Sequence, residues 1–566
     1  MSKRSKLILV CFILAALVAV FAGCNRGGGN QPAATPAPAA QATPAPAADP
    51  ATPAADPADD DPFAVPVHFT FANLADPLDF DSCEIFQMYS EKFNFTWEVI
   101  PLTWDAWGER VTLWIAAGDM PDVTLWNWNF AEYMLYVSQG AFRPLPYGWY
   151  ERFPNLASTQ RATGAMERVQ VNGRQYILPR VTFYHFAPID APLYHGSVIY
   201  RRDWAEALGV GPWECGDMVS LEDFKEYLYG AMNHNPDGMP PGSVTGFSAT
   251  FGLVARLFVS MGDAGYNTFY QIDANGNHAL SGEFVWGAAS EGTLRGMHLL
   301  RDLWLDGYVD QDFFMTTDQS FIDRFHAGLV AAFWADMTVG NLNNHFNNFY
   351  NNNPDLGDPE EIVGLINILS PFDNRWHGTS DPNNWSAFVF NPDVDDVTME
   401  RILAIFDHSV TFEQQEILRM GIEGRDWQRL PDGNYEIIRE RNPDGTLPGL
   451  ATIYPAAGQL AGLNILGDDF SFANPATRQR ARDVTARQYQ MKELYGNLLP
   501  LNLNWVFWDS PARRNMHGGA TIVEEMVRVI VSADSPEDME AQWQDWLDAQ
   551  MWLVQPLLDE LNAEFN

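Results

Sequence analysis

An alternation of apolar and polar residues opens the part of the chain that can form a folded body. Residues 67–71 (Val-His-Phe-Thr-Phe) alternate with a period of two, and residues 97–100 (Trp-Glu-Val-Ile) have the composition of a partner strand. Residues 85–93 between them predict a helix. The order strand, helix, strand is typical of an α/β fold.

The same kinds of element continue along the chain. Apolar residues at helical spacing predict helices over residues 105–117, 217–232, 294–307, 321–326, 399–407 and 535–561. Apolar runs predict strands over residues 123–125, 198–200, 328–336 and 362–369, and the stretch over residues 383–390 leads into another strand. An Asn-rich stretch over residues 341–353 is predicted as a loop or a frayed helix.

Residues 173–209 predict a passage from one folded unit to another. Residues 173–180 form a short apolar strand that Pro179 stops, because proline has no N–H for a strand ladder. A later strand leads into a helix capped at Asp203 and closed by Gly209. A strand, a crossover and a strand-to-helix step predict that the chain leaves one α/β lobe here and enters a second.

The N-terminal region has the features of an export signal followed by a tether. Residues 1–24 combine a basic start with an apolar run that ends in small residues before Cys24. This ending resembles a lipobox, in which the Gly23–Cys24 bond is cut and Cys24 is acylated. An ordinary signal peptide or an N-terminal anchor is the alternative. Residues 25–64, rich in Pro, Ala and Thr, predict a disordered tether.

The chain is strongly acidic, with a formal net charge of −39 over 566 residues. This charge argues against nucleic acid and anionic membrane surfaces as partners. It also argues against a polyanionic ligand, unless a local basic pocket overrides the field. The 20 Trp suggest stacking surfaces as well as a core. Only Cys83 and Cys215 lie in the folded body, so no disulfide framework is expected, and whether these two pair stays open.

Two tryptophans interleaved with two asparagines follow the strand over residues 123–125. The rings of Trp126 and Trp128 suit the apolar faces of a sugar, and the amides of Asn127 and Asn129 suit its hydroxyl groups. Core tryptophans with turn asparagines are the alternative.

A weak calcium candidate lies at Asp273, Asn275 and Asn277, which have the spacing of the first three ligands of a calcium loop. The rest of the calcium pattern is missing, since Gly276 stands at position 4 and Phe284 at position 12. The Asn-Gly pair predicts a hairpin turn instead, so no metal is expected.

The sequence contains no recognisable catalytic motif for a metal, a phosphate or a nucleophile. No catalytic residue and no cofactor are therefore predicted. Carboxylates are so abundant that a pair suited to glycoside hydrolysis stays open.

Several segments resemble family 1 extracellular solute-binding proteins, in particular the lipoproteins that serve ABC importers of oligosaccharides. These segments are residues 116–123, 173–180, 201–209, 303–310, 328–332 and 421–427. The last, Gly-Ile-Glu-Gly-Arg-Asp-Trp, is the most specific. The segment over 328–332 departs from the family at Leu329, where a lysine is usual.

The resemblance implies a two-lobed, periplasmic-binding-protein-like α/β fold with a ligand cleft between the lobes. The hinge is expected around residues 180–198 and 366–372. The implied division is residues 65–185 and 367–455 for lobe 1, residues 186–366 for lobe 2, and a C-terminal helical segment over residues 456–566 that completes the lobes.

The resemblance also implies ligand-binding residues. In the family, residues that follow the strand over 328–336 contact ligand, so Trp334 and Asp336 are expected in the cleft; burial of Trp334 in the core is the alternative. Trp385, just before a strand, and Arg180, at the first crossing, are also cleft candidates. Residues Arg425 and Trp427 are the candidates of the most specific motif, with a purely structural turn as the alternative.

The function implied is that of a solute-binding lipoprotein on the outer face of the bacterial cytoplasmic membrane, anchored by lipid at Cys24. It would capture a neutral or weakly charged oligosaccharide by hinge closure and deliver it to an ABC permease. It is expected to act as a monomer, to bind no nucleic acid and to hydrolyse nothing. A surface-anchored glycoside hydrolase and a sensor or peptide-binding lipoprotein are the alternatives.

Overall fold

The structure of the protein, a computed structural model, describes residues 61–75, 77–104, 106–162, 165–183, 196–276, 278–279, 281–378, 384–431, 435–440, 448–462, 464–466, 475–494, 510–514 and 519–565. The predicted export signal with Cys24 and most of the predicted tether lie outside the described residues. In the part of the chain that is described, every helix is too short or too polar to cross a membrane.

The strands are β1 (Val67–Leu74), β2 (Phe95–Leu102), β3 (Val123–Trp126), β4 (Gln170–Val171), β5 (Arg174–Gln175), β6 (Ile177–Phe183), β7 (Gly196–Arg201), β8 (Asp217–Ser220), β9 (Thr245–Phe247), β10 (Phe269–Ile272), β11 (His278–Ala279), β12 (Glu283–Trp286), β13 (Val330–Asp336), β14 (Val363–Leu369), β15 (Asn384–Phe390), β16 (Trp427–Arg429), β17 (Tyr435–Ile437) and β18 (Asn464–Leu466).

The helices are α1 (Glu84–Phe93), α2 (Trp107–Ala117), α3 (Phe130–Ser138), α4 (Trp149–Arg152), α5 (Pro154–Ala162), α6 (Ala165–Arg168), α7 (Arg202–Leu208), α8 (Leu221–Asn233), α9 (Phe251–Phe258), α10 (Glu291–Leu305), α11 (Asp318–His326), α12 (Val339–Asn352), α13 (Pro359–Ile362), α14 (Asp396–Ser409), α15 (Phe412–Met420), α16 (Leu450–Ile453), α17 (Pro455–Ala461), α18 (Pro475–Leu494), α19 (Pro511–Arg514), α20 (Gly519–Ser532) and α21 (Pro536–Phe565). Short 3₁₀ helices cover Gly287–Ala289, Phe313–Met315 and Pro354–Leu356.

The first large sheet has the strand order β18-β6-β15-β3-β1-β2. β1 pairs in parallel with β2 from Val67↔Phe95 to Leu74↔Leu102, which confirms the predicted pair, and it is also parallel to β3. β15 is antiparallel to both β3 and β6, and β18 is parallel to β6. The carboxyl ends of β1, β2, β3, β6 and β18 and the amino end of β15 therefore share one edge of this sheet.

The second large sheet has the order β8-β14-β7-β13-β9. β7 is antiparallel to its two neighbours, β13 and β14, whereas β8 is parallel to β14 and β9 is parallel to β13. The carboxyl ends of the other four strands and the amino end of β7 share one edge, as in the first sheet.

Each sheet has its own hydrophobic core. Buried apolar residues between positions 67–178 and 387–461 pack around the first sheet, and those between positions 198–368 and 481–561 pack around the second. The chain thus forms two α/β lobes, and its described strands mark three passages between them, after β6, after β14 and after β18. Because β14 extends to Leu369, the second core continues beyond the predicted boundary at residue 366.

Two local predictions were wrong, both because tertiary pairing outweighed a local signal. Pro179 does not stop a strand, since β6 runs through it and pairs it with Ala387 of β15. β18 joins the other side of β6 only from Val181 onward, so the missing N–H of Pro179 interrupts no pairing with that strand. Asp203 is not the cap of its helix but lies in the first turn, where it binds Arg201 at 2.8 Å.

The Asn-rich stretch, predicted as a loop or a frayed helix, is a regular helix, α12. Thr338 caps this helix by accepting a hydrogen bond from the Asn341 N–H. Its apolar residues recur at helical spacing and are buried, namely Val339, Leu342, Phe346 and Phe349. This stripe outweighs the low helix propensity of asparagine.

The two body cysteines are both free thiols. Cys83 is buried in the core of the first lobe, whereas Cys215 packs against the core of the second. The question of pairing is therefore settled against a disulfide.

Candidate functional site

An aromatic platform lies at the carboxyl edge of the first sheet. Trp104 follows β2 directly and is 66% exposed, which is unusual for so large an apolar side chain. Its ring centroid lies 5.6 Å from that of Trp385 and 6.0 Å from that of Trp107. Trp107 is buried beneath them and fixes the platform, because its indole N–H donates to the Leu125 carbonyl at 2.8 Å.

A β-bulge directs Trp385 into this platform. The register between β15 and β6 shifts between Asn384 and Ala387, so that two residues of β15 stand opposite Arg180 alone. One of those two, Ser386, has a φ of +56°, a left-handed conformation that non-glycine residues rarely adopt. Bulges of this kind re-aim side chains, and strained backbone of this kind occurs at ligand sites.

Arg180 places a positive charge beside the platform. Its guanidinium carbon lies 5.1 Å from the Trp385 ring centroid, its Nε donates to the Gly462 carbonyl, and its Nη1 lies 3.5 Å from the Ser386 hydroxyl. Burial and the nearby charge of Arg419 lower the pKa of Arg180 to about 9. Burial also lowers the pKa of Arg419 to about 10, so both side chains are cations at neutral pH.

The edge of the second sheet carries a second cluster. The Trp334 indole lies across the first residue of β7, Gly196, where a Cβ would overlap the ring. The Arg256 guanidinium carbon lies 5.7 Å from the Trp334 ring centroid. Trp334 is almost fully buried, so only a small part of its surface can meet a ligand.

Asp336, at the carboxyl end of β13, stands opposite Gly196 in this cluster. One carboxylate oxygen accepts a hydrogen bond from the Thr338 N–H at 2.7 Å. Burial raises the pKa of Asp336 to about 6, although this bond and the charge of Arg256 lower it. A carboxyl group that titrates near pH 6 at the edge of a sheet is a candidate binding residue.

The Trp-Asn stretch after β3 divides into a core part and an exposed part. Trp126 and Trp128 are buried in the core of the first lobe and pack on Tyr133. Asn129 caps α3, with its side-chain oxygen accepting from the Glu132 N–H. Asn127 alone is exposed at the sheet edge.

Residues 421–427 form a closed turn. The indole of Trp427 is 1% exposed, and its N–H donates to the Gly421 carbonyl at 3.1 Å. Arg425 is held by an ion pair with Glu84 at 2.8 Å. These contacts lie within the first lobe, and they match the interpretation as a structural turn better than a ligand contact.

The weak calcium candidate lies in the hairpin between β10 and β11. The Asp273 carboxylate accepts from the Asn275 N–H at 2.8 Å, which closes the turn, and Asn277 lies outside the described residues. Within the described ranges, no group of three or more His, Cys, Asp and Glu side chains could hold a metal ion.

The structure thus brings Arg180 and Trp385 together at one edge and Trp334 and Asp336 together at the other. Sequence reasoning missed Trp104 and Arg419. Trp104 had a usable signal, because it lies four residues after the strand predicted over residues 97–100, on the side where parallel strands deliver ligand contacts. Arg419 had none, since it lies within an ordinary helix and approaches Arg180 only through the fold.

Neither a protein-family model nor a curated protein matches the chain. Solved structures do match. The alginate-binding protein AlgQ2, solved without calcium ion, is 14% identical with a TM-score of 0.60, and the match covers 88% of this chain and 97% of that one. The Streptococcus pneumoniae ABC-transporter substrate-binding protein FusA, in complex with kestose, is 15% identical with a TM-score of 0.58, covering 88% and 99%.

A third match is the HMO-binding, ABC-transporter-associated solute-binding protein of Bifidobacterium longum infantis. It is 12% identical with a TM-score of 0.59, and the match covers 87% of this chain and 97% of that one. The chain therefore has the two-lobed α/β fold of these solute-binding proteins, as predicted.

Proposed function

We propose that this protein is the solute-binding component of an ABC importer, which captures an oligosaccharide between its two lobes and delivers it to a membrane permease. The single observation that carries the proposal is the platform of Trp104, Trp385 and Arg180 at the carboxyl edge of the first sheet. Ligands of open α/β sheets bind outside the carboxyl ends of the strands. The platform lies at this edge of the first sheet, beside the amino end of the antiparallel strand β15.

The platform has the chemistry that a sugar requires. Flat indole rings offer apolar surface to the C–H faces of a pyranose, and few but well-placed polar groups fix its orientation. Trp104 supplies accessible ring surface, and Arg180 supplies donors beside it. Asn127 on the same edge, and Asp336 on the edge of the second sheet, are the further polar groups that we assign to the ligand.

Hinge closure follows from the connection of the lobes. The three passages between the cores start from the carboxyl ends of β6, β14 and β18, which is the edge that carries each cluster. Domains joined in this way close around a ligand by changes in a few linking residues. We assign the hinge to the first two passages, near residues 180–198 and 366–372.

We further propose that residues 1–24 direct export and that Cys24 carries the lipid anchor, with residues 25–64 as the tether. Two acyl chains suffice for stable anchoring, and a Pro-rich tether holds the body away from the membrane. The structural neighbours are named as binding proteins, which supports capture and release without hydrolysis.

Calorimetric titration of the detergent-solubilised full chain with a panel of oligosaccharides tests the proposal. Trp104→Ala and Trp385→Ala should each weaken binding by about 1–3 kcal/mol, by analogy with base–aromatic stacking. The matched control is Trp552→Ala, since Trp552 is 73% exposed on α21 and belongs to neither cluster.

Three results would contradict the proposal. Recovery of shortened sugar by mass spectrometry would favour the glycoside hydrolase. Binding of short peptides with no sugar bound would favour a peptide-binding lipoprotein. A loss of affinity in the Trp552→Ala variant equal to that of the platform variants would show that the platform has no specific role in binding.

A further inference from the structure

We infer that the oligosaccharide is acidic and that Arg180 binds a sugar carboxylate beside the Trp104–Trp385 platform. This inference rests on the proposed function and replaces the expected neutral or weakly charged ligand. The electrostatic environment of Arg180 supports it.

Arg180 lacks a counter-ion among the residues that the structure describes. Its contacts there are one backbone carbonyl, one hydroxyl at 3.5 Å and the rings of Trp385 and Phe388. The nearby charge that acts on it belongs to Arg419, which has the same sign. A partly buried cation without a counter-ion is stabilised by an anion that binds beside it.

Other buried arginines of the same chain have more ion-pair or carbonyl partners, although the Nη1 of Arg201 and the Nε of Arg301 have no hydrogen bond among the described residues. Arg201 forms ion pairs with Asp203 at 2.6 Å and with Asp237 at 3.3 Å. Arg301 donates to two backbone carbonyls at 2.8 and 2.9 Å, and Arg401 donates to three. Among the described residues, Arg180 has one such carbonyl, which leaves donors for a ligand at the edge where the ligand is proposed to bind.

In a chain this acidic, an arginine without a carboxylate partner is unusual. The sequence has 73 acidic and 34 basic residues, so a random neighbour of an arginine is about twice as often an acid as a base. A net charge of −39 repels an acidic ligand in general, and only a local basic site can reverse this repulsion. Arg180, which has no carboxylate partner among the described residues, forms such a site next to the exposed tryptophan surface.

The geometry suits a uronate. A guanidinium binds a carboxylate through two parallel N–H···O bonds, which adds orientation to charge. The Arg180 guanidinium lies over Trp385, whose ring centroid is 5.6 Å from that of Trp104. A sugar ring that stacks on Trp104 therefore carries its carboxylate towards the cation.

The test compares acidic oligosaccharides with their neutral counterparts. Short oligogalacturonides and glucuronate-containing oligosaccharides are titrated into the full chain, and each is compared with its carboxyl-reduced form, which keeps the same sugar rings. We expect at least one acidic ligand to bind about tenfold or more tightly than its reduced form, and this preference to shrink as salt is added. This comparison needs only the natural sequence.

Variants then assign the preference to Arg180. Arg180→Gln should lower affinity for the acidic ligand by about 10–100-fold and affinity for the reduced form by much less, so that the preference for the acidic form is lost. Arg180→Lys keeps the charge without the fork and should retain part of the preference. Arg161→Gln is the matched control, since Arg161 also lies over an aromatic ring, Tyr150, at 5.3 Å but on an exposed helix.

The outcomes separate this inference from the proposed function. Neutral oligosaccharides that bind as tightly as acidic ones would overturn the acidic ligand and leave the sugar-binding function standing. A preference for acidic ligands that Arg180→Gln leaves unchanged would overturn the role of Arg180. No binding by either form would overturn the proposed function itself.

Discussion

Two regions of the first lobe contain the same residue types and use them differently. In the turn over residues 421–427, Trp427 is buried and Arg425 is paired with Glu84. At the sheet edge, Trp104 is exposed, and Arg180 has no carboxylate partner among the described residues. The first region carries the segment from which the family resemblance was chiefly predicted, whereas the second carries no motif at Trp104. Resemblance here identifies residues that build the fold, and exposure identifies residues that can meet a ligand.

The turn is recognisable in sequence because its geometry tolerates few substitutions. Gly421 has a φ of +85°, and a Cβ at this position would overlap the Asp426 side chain. The Asp426 carboxylate accepts from the Ile422 N–H at 2.7 Å and from the Tyr454 hydroxyl at 2.8 Å. The sheet edge imposes no comparable constraint, since an exposed ring can be exchanged as ligands change.

The largest effect on stability is expected for Trp427, in the turn over residues 421–427. Trp427→Ala should lower the free energy of unfolding by about 3–5 kcal/mol, because it removes a fully buried indole and leaves a cavity. Urea denaturation measures the change, and calorimetry on the remaining folded protein should give unchanged affinity. Lost affinity at unchanged stability would place Trp427 in the ligand site and erase the contrast between the two regions.

The next prediction is a gain in stability, and it concerns Asp336 at the edge of the second sheet. The folded pKa of Asp336, about 6, is above its ordinary value of 3.8, so the folded state binds the extra proton between these values. Stability from this group is therefore present at low pH and is lost as the pH rises through 6. Asp336→Asn, which can still accept from Thr338, should raise stability at pH 7 by about 1–3 kcal/mol.

The measurement for Asp336 is the difference between variant and natural protein in urea denaturation from pH 4 to pH 7. This difference should be near zero at pH 4 and grow with pH. A variant that is less stable at pH 7 would show that the carboxylate stabilises the fold, as the turn residues do.

A smaller gain is expected at the bulge. Ser386→Gly should raise the free energy of unfolding by about 0.5–1 kcal/mol, because glycine adopts a φ of +56° without strain. The gain is partly offset by the greater freedom of glycine in the unfolded chain. Thermal denaturation is sensitive enough to detect the change.

The matched control for the bulge is Ser409→Gly. Ser409 is the last residue of α14, and its hydroxyl donates to the Ile405 carbonyl at 2.7 Å. Glycine gains nothing from a helical conformation, so this variant should be less stable than the natural protein. Equal losses in the two variants would show that the backbone at Ser386 stores no strain.

The smallest effect on stability is expected for the ion pair between Glu84 and Arg425, at the surface of the turn. Glu84→Gln should change stability by no more than about 0.5 kcal/mol, because the pair between Glu84 and Arg425 is half exposed and screened by water. Unchanged ligand affinity in the same variant would agree with a structural role for Arg425. A large loss of affinity would show that Arg425 contributes to ligand binding.

Most of the fold was predictable from the sequence. The β1–α1–β2 unit, the strands β13 and β14 and the C-terminal helix α21 follow directly from apolar periodicity. The error at Pro179 and the undecided prediction for the Asn-rich stretch arose where pairing or burial with distant residues outweighed local propensity. Periodicity reports what a segment can bury, but it does not report what it packs against.

The candidate site was only partly predictable, for a different reason. Arg180 and Trp385 were expected from the resemblance and from a position just before a strand, and the structure brings them together. Trp126, Trp128 and Trp427 carry equally suggestive sequences but are buried. The arrangement of Trp104 and Arg419 depends on strand order and helix packing, which a single sequence does not encode in any local pattern.

The three passages between the lobes begin or end at neighbouring strands of the first sheet, and this arrangement restricts how one lobe can move against the other. In the first sheet the passages leave or enter at β18, β6 and β15, which are consecutive neighbours. Strand spacing places these three links across a line about 10 Å long. Links in a row permit bending about that line and resist twisting of one lobe against the other. The lobes should therefore separate along one path, which opens farthest from this line, and a ligand held between them as proposed would leave in that single direction.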